Sequence, residues 1–196
     1  MAPTLKEWYL NRLMLDPKDQ IDMITLIDTE TTHLNGFTVS IAIIGFSLKD
    51  MEVKYKYYKE INPQVDISEE SFEIHKISDE QVKDAPKFEH FEKEITQMLE
   101  ESEMTIAFNA IYDIATIIRE YERLGIKPPR MPYLDLMNRL KVEVDAKNSV
   151  GHKKNPTLKE AAEYFKITSV DQNLHNALYD TEVMLETFVA ALKSYE

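Results

Sequence analysis

Residues 26–37 read LIDTETTHLNGF and join an apolar run to two carboxylates, Asp28 and Glu30, which stand one residue apart. The run MITLID at residues 23–28 is apolar and rich in β-branched side chains, which predicts a strand. Side chains two positions apart on a strand point to the same face, so both carboxylates emerge together where this strand ends. Like charges repel at that distance, and a divalent cation would stabilise them. A polar turn that binds nothing is the alternative interpretation.

The composition limits which classes of protein and site are possible. The chain has 196 residues, no cysteine and a formal net charge of -12 at pH 7. This length is enough for one domain with a full core. The lack of cysteine excludes disulfides, thiolate metal sites and cysteine nucleophiles, so any metal must be bound by oxygen or imidazole. The sequence has neither an uncharged membrane span nor the apolar core of a signal peptide, and we expect a cytoplasmic protein without membrane contact.

The charge is unevenly distributed, which bears on nucleic-acid binding. Residues 66–104 are strongly acidic and predict a solvated helical surface, whereas residues 139–154 are net basic. An acidic protein repels nucleic acid at long range, but salt screens that repulsion beyond about 8 Å. Lys153 and Lys154 in the basic segment are therefore candidates for contacts with phosphate. A merely solvated loop is the alternative.

Hydrophobic periodicity predicts strands mainly in the first part of the chain and helices mainly in the second. Further strands are predicted at residues 37–48, 52–61 and 104–108. Helices are predicted at residues 4–15, 87–101, 109–125, 133–140, 157–165 and 176–194, with a polar loop at 145–156. This order indicates an α/β or α+β domain in which helices pack on a sheet.

Two of the predicted helices have apolar side chains whose positions predict how the helices pack. The first, with Thr4 as its N-cap, presents Trp8, Tyr9 and Leu13, which either pack on the domain's own surface or bind a partner. In the helix at residues 109–125, the spacing predicts an apolar face formed by Ile111, Ile114, Ala115 and Ile118.

Two later segments add candidate ligands. FNAIYDI at residues 108–114 places Asp113 near the start of a predicted helix, where the helix dipole favours an anion. HNALYD at residues 175–180 places His175 and Asp180 around the start of the last helix. Five residues turn a helix by about 140°, so these two can face one site only if His175 precedes the first regular turn. Taken alone, each segment is also compatible with a solvated helix start.

The order and context of these segments resemble the DnaQ-like family of 3′–5′ exonucleases. IDTETT, FNAIYDI and HNALYD resemble its three motifs in the DEDDh subgroup, which combines four acidic residues with a histidine. The segment IHKISDEQVKDAPKF is also similar to the family, and the resemblance covers roughly residues 23–192. It implies a ribonuclease H-like α/β fold with a mixed central sheet flanked by helices. Residues 1–22 would form a helical extension and residues 23–196 the exonuclease domain.

The resemblance also implies roles for individual residues. The ligands of two divalent cations, Mg²⁺ or Mn²⁺, would be Asp28, Glu30, Asp113 and Asp180, with His175 as general base. The substrate-binding candidates are Thr29, Thr31, Phe108, Asn109, Lys153 and Lys154. Relatives that use tyrosine in place of this histidine carry it at the position of Asn176, which supports the histidine subgroup. The sequence departs from the family at Phe108, where histidine is common, and at His33, where glycine is common.

From these residues we expect an enzyme that removes 5′-mononucleotides from the 3′ ends of single-stranded DNA or mismatched primers. An exoribonuclease is the alternative, because no motif identifies contacts near a 2′-hydroxyl. A catalytically inactive binding module is disfavoured, since all five chemical residues are present. Replication or repair proteins are possible partners.

Overall fold

The computed structural model describes residues 3–167 and 175–195. Within these ranges, five strands form one sheet in the order β3-β2-β1-β4-β5. Strand β1 pairs antiparallel with β2 and parallel with β4, so the sheet is mixed, as expected. β3 pairs antiparallel with β2, and β5 pairs parallel with β4. The strands are β1 (Met23–Thr31), β2 (Thr38–Ser47), β3 (Glu52–Glu60), β4 (Met104–Ala107) and β5 (Tyr133–Asp135).

Helices cover both faces of this sheet. In chain order they are α1 (Leu5–Leu13), α2 (Glu69–His75), α3 (Asp79–Val82), α4 (Glu92–Glu100), α5 (Ala110–Arg123), α6 (Leu136–Val144), α7 (Leu158–Tyr164) and α8 (Ala177–Lys193). Short 3-10 turns lie at Pro17–Asp19 and Phe88–His90. No helix in the described part of the chain has the length and apolar character needed to cross a membrane.

The two faces of β1 contribute to two separate hydrophobic clusters. Leu26 belongs to the cluster that includes Phe188 of α8, whereas its neighbour Ile27 belongs to the cluster that includes Ile117 of α5. Because side chains alternate along a strand, positions 28 and 30 continue the α8 face and position 29 the α5 face. The end of β1 therefore places functional side chains on both sides of the sheet.

The N-terminal helix packs on the domain rather than standing free. Thr4 and Glu7 form a capping box at its start, which satisfies backbone N–H groups there. Its side chains Leu5 and Tyr9 are buried, and the Trp8 ring lies 6.3 Å from the ring of Phe188 in α8. Of the two interpretations for this helix, the structure favours packing on its own domain.

Three predictions of local structure differ from the observed fold. The segment predicted as a helix from residue 133 instead begins with β5, and α6 starts at Leu136 after Asp135, its N-cap. The pairing of β5 with β4 overrides the helical pattern there, and Leu134 is buried. Ile111 is 64% exposed, so the predicted apolar face of α5 is wrong at that position. The predicted helix at 87–101 begins only at Glu92.

Candidate active site

Three carboxylates from two elements meet at the end of β1. Strand β1 supplies Asp28 and Glu30, and the first turn of α8 supplies Asp180. One carboxylate oxygen of each residue lies within 4.8 Å of the others. No salt bridge among the described residues involves any of the three. The predicted convergence of the first and third motifs is therefore present in the fold.

Asp113 reaches the same strand from the first turn of α5. Its Oδ1 accepts hydrogen bonds from the Thr29 backbone N–H at 3.0 Å and from the Thr29 hydroxyl at 2.8 Å. Asp113 is 2% exposed and Thr29 is 5% exposed. Thr29, a substrate-binding candidate, therefore lies behind the carboxylates and holds one of them. Asp113 stands outside the group of three, but its charge helps to raise the pKa of Asp28.

His175 lies just before the first turn of α8, as the spacing requires. Its backbone has a φ of 80°, and its N–H donates to Oδ2 of Asp180 at 3.1 Å. Asn176 caps the helix by accepting a hydrogen bond from the Tyr179 N–H at 3.1 Å. Because His175 is outside the regular helix, the five-residue separation does not turn it away from Asp180. Its side chain is exposed.

Burial raises the pKa values of all four carboxyl groups, and repulsion from the other carboxylates raises those of Asp28 and Glu30 further. Burial is the largest cause in every case. The pKa of Asp28 is raised well above its ordinary value, and that of Glu30 is raised to about 8. The pKa of Asp113 is raised to about 7 and that of Asp180 to about 6. A nearby cation would favour the ionised forms of all four.

The site fits a divalent cation on two observations. Its donor set is composed of carboxylate oxygens, which Mg²⁺ and Mn²⁺ prefer. In addition, Oδ1 of Asp180 is buried and has no hydrogen-bond partner. A buried polar atom without a partner is costly, and a bound cation would satisfy it.

Three other substrate-binding candidates lie at or just after the ends of β1 and β4. Thr31 is buried, and its hydroxyl donates to the His33 carbonyl at 3.0 Å and contacts the Tyr112 hydroxyl. Phe108 is half-buried and packs against the core beyond the end of β4. Asn109 precedes α5 with a φ of 74° and makes no side-chain cap, so its exposed amide is not committed to the helix.

Lys153 and Lys154 already have acidic neighbours. The Lys153 Nζ lies 2.9 Å from Asp145, and the Lys154 Nζ lies 2.7 Å from Glu160 in α7. None of the described contacts joins either lysine to the carboxylate cluster. The local positive charge of this loop is therefore smaller than the sequence suggested.

The sequence did not reveal the contacts of His75. It is buried at the end of α2, and its Nδ1 accepts a hydrogen bond from the Ile77 N–H at 3.0 Å. Its Nε2 lies 3.3 Å from the carbonyl oxygen of Thr31. Burial lowers its pKa, and the nearby His175 lowers it further. His75 lies in the segment IHKISDEQVKDAPKF, but only the fold places it against β1 and near His175.

Comparison with known proteins identifies the family. A model described as exonuclease, the RNase T family, matches residues 25–188. The chain belongs to this exonuclease family. DNA polymerase III subunit epsilon of Rickettsia prowazekii (strain Madrid E) is 30% identical over 169 residues, which cover 84% of this chain and 72% of the relative. The expected DnaQ-like 3′–5′ exonuclease is thereby confirmed.

Solved structures of other exonucleases share the fold. Exonuclease X in complex with 5′ overhanging duplex DNA matches with a TM-score of 0.66 and 19% identity, covering 87% of this chain and 91% of that one. The nuclease domain of 3′hExo, a DEDDh family member bound to rAMP, matches with a TM-score of 0.72 and 13% identity, covering 90% and 94%. The ribonuclease H-like fold expected for this exonuclease is confirmed.

Proposed function

We propose that this exonuclease acts on the 3′ ends of single-stranded DNA and of mismatched primers and releases 5′-mononucleotides. The observation that carries the proposal is the meeting of Asp28, Glu30 and Asp180 within 4.8 Å, beside Asp113. The similarity to a DNA polymerase III epsilon subunit supports DNA as the substrate.

In this proposal the four carboxylates hold two divalent cations, Mg²⁺ or Mn²⁺. Asp28, Glu30 and Asp180 supply converging oxygens, and Asp113 supplies a carboxylate oriented by Thr29. When bound, two such cations lower the pKa of an attacking water and offset the charge that develops on a departing 3′ oxygen. The chain's own task is to hold the scissile phosphate beside this cluster.

His175 is the proposed general base. A histidine side chain can accept a proton at neutral pH, and a base must lie within hydrogen-bonding reach of the water that it deprotonates. The hydrogen bond from the His175 N–H to Asp180 keeps this residue at the edge of the carboxylate cluster. The exposed imidazole can pass the proton on to solvent. Asn109, Phe108 and Thr31 are proposed to contact the terminal nucleotide.

End-labelled DNA and RNA oligonucleotides of the same sequence, incubated with and without Mg²⁺, test this function. We expect a ladder of products shortened from the 3′ end, no activity in EDTA and faster degradation of DNA. A closed circular single strand is the control and should remain intact. Cuts in the circle or activity in EDTA would contradict the proposal, and faster degradation of RNA would support the exoribonuclease alternative.

The setting of this activity is also a proposal. We infer a cytoplasmic enzyme that works with replication or repair proteins, supported by similarity to the epsilon subunit over 84% of the chain. We also propose residues 1–22 as an extension docked on the exonuclease domain, 23–196. Co-purification of a DNA polymerase with the tagged enzyme, compared with the Asp28→Ala variant, would test the partner class.

A further inference from the structure

One side of α5 contacts the loop that follows β1. This β1–β2 loop comprises residues 32–37. Arg119 donates to the Gly36 carbonyl at 2.6 Å, and the guanidinium of Arg123 lies 4.4 Å from the centre of the Phe37 ring. At 3.6 residues per turn, positions 112, 113, 119, 120 and 123 fall within an arc of roughly 120°. The helix that carries Asp113 thus presents a continuous row of side chains to β1 and its loop.

Glu120 is the buried member of this row. It is 1% exposed, and its Oε1 accepts the backbone N–H of Thr38 at 2.7 Å, where the β1–β2 loop enters β2. Arg123 lies 3.8 Å from its other oxygen. Burial raises the pKa of Glu120, and the bond from Thr38 opposes that rise. A buried carboxylate is rarely more stabilising than an apolar side chain of similar size, so its presence indicates a need to fix the backbone.

The loop so held is compact, and its tip faces solvent. The Thr32 N–H donates to the Phe37 carbonyl at 3.0 Å, and a Cβ added at Gly36 would lie 2.3 Å from the Thr32 hydroxyl oxygen. At the tip, His33 and Asn35 are exposed and Leu34 is 76% exposed. The loop begins directly after Thr31, so a shift of the loop would act on the end of β1 that carries Glu30.

We propose that Glu120, with Arg119, is a positioning residue for substrate binding: it holds the β1–β2 loop where the loop supports the 3′ end of the bound strand. The inference rests on the proposed function only in taking the bound nucleic acid to be single-stranded DNA. Glu120 lies on the α5 side of the loop and acts through the Thr38 backbone. Loosening the loop should weaken substrate binding and leave the carboxylate cluster intact.

The test compares Glu120→Leu, Glu120→Gln and Arg119→Met with wild type, and Glu122→Gln is the control because Glu122 is exposed on the same helix. Hydrogen exchange of residues 32–38 is measured without substrate. Binding of a 5′-fluorescein-labelled single-stranded DNA oligonucleotide is measured by anisotropy in Ca²⁺. We expect Glu120→Leu and Arg119→Met to exchange about tenfold faster and to bind about tenfold more weakly, as loss of one buried hydrogen bond implies.

Glu120→Gln keeps an acceptor oxygen for Thr38 and should recover part of both losses. Mn²⁺ binding by calorimetry, the melting temperature and the control variant should change little, which separates loop positioning from general destabilisation. Unchanged exchange at residues 32–38 would overturn the proposal, as would faster exchange with unchanged DNA binding. Should wild type bind the oligonucleotide without cleaving it, the proposed function fails while this comparison still decides the role of Glu120. If Glu120→Leu does not fold, hydrogen exchange and DNA binding of Arg119→Met test the proposal in its place.

Discussion

Glu30, Asp113 and Asp180 hold their protons more tightly in the folded chain than in the unfolded chain, because burial disfavours the ionised form. Their pKa values are raised from 4.5 to about 8, from 3.8 to about 7 and from 3.8 to about 6, respectively. Between about pH 4 and about pH 8 the folded chain therefore binds more protons than the unfolded chain. Its free energy of unfolding should fall as the pH rises through this range.

We accordingly predict that the melting temperature in EDTA falls between about pH 5 and about pH 8 and that Mn²⁺ reduces the fall. The cation stabilises the ionised carboxylates, which repel one another without it. Asp28→Asn removes one of the four charges and should show a shallower fall in EDTA. Calorimetric scans at several pH values check this, and an equal slope with and without Mn²⁺ would contradict it.

A second prediction concerns the ligands individually. Asp28→Ala and Asp180→Ala should each lose Mn²⁺ binding and turnover, while the fold stays as stable as wild type or becomes more stable in EDTA. The reason is that each change removes a repelling charge from a buried cluster. Isothermal calorimetry and thermal unfolding measure both effects, with the exposed Asp84→Ala as control. Undiminished Mn²⁺ binding in both variants would exclude these ligand roles.

Secondary-structure elements determine which side chains can meet. α8 begins at Ala177, so His175 stands outside the helix and next to Asp180. Were the helix one turn longer at its start, His175 would point away from Asp180 by about 140°. The N-cap at Asn176 therefore sets where α8 begins, and this start keeps His175 next to Asp180.

This placement predicts that His175→Ala uncouples metal binding from catalysis. A residue that only accepts a proton can be removed without loss of the ions, so Mn²⁺ affinity should persist while turnover falls about 10²- to 10⁴-fold. Single-turnover rates and calorimetry on the same preparation provide the comparison. His90→Ala, an exposed histidine in the 3-10 turn at Phe88–His90, is the matched control for Mn²⁺ affinity and turnover rate. Loss of the ions in His175→Ala would make His175 a ligand.

Periodicity and capping residues predicted the long elements, because their signals are local. α8 is 17 residues long, and its N-cap Asn176 is the first residue of the helix predicted at 176–194. β1, β2 and β3 follow clear apolar or alternating patterns. β5 has only three residues and exists because β4 lies beside it. A local pattern carries no information about such a neighbour.

The sequence motifs predicted which side chains form the site, but not the contacts that position them. The carboxylates and His175 followed from spacing and from resemblance to the family. The contacts that fix Asp113 and the β1–β2 loop did not, because Thr29 bonds to Asp113 across 84 residues and Thr38 to Glu120 across 82. Exposure was also misjudged at Ile111, which helical spacing assigned to the core.

Across the whole molecule, the distribution of charge disfavours nonspecific binding of nucleic acid. The net charge is -12, and the lysines at 153 and 154 are paired with carboxylates. A phosphate would have to compete with these pairs. Binding strength is therefore expected to depend on the cations at the carboxylate cluster, with the basic loop as a secondary contact.

The final prediction tests this secondary contact. Replacing Lys153 and Lys154 with Ala should weaken DNA binding and reduce the log–log salt slope by about 0.7 for each lost phosphate contact on a single strand. The rate at saturation should barely move. Lys76 and Lys83, which are ion-paired in the acidic segment, provide the control double variant. A salt slope identical to that of wild type would show that neither lysine contacts phosphate and that both only pair with Asp145 and Glu160.

The alternation of side chains along β1 has a consequence for insertions and deletions. Asp28 and Glu30 lie on the α8 face of the sheet, and Thr29 lies on the α5 face, held by Asp113. Deleting one residue between Leu26 and Asp28 would exchange these faces, sending both carboxylates toward the apolar cluster under α5. The length of this strand should thus be fixed in any functional variant.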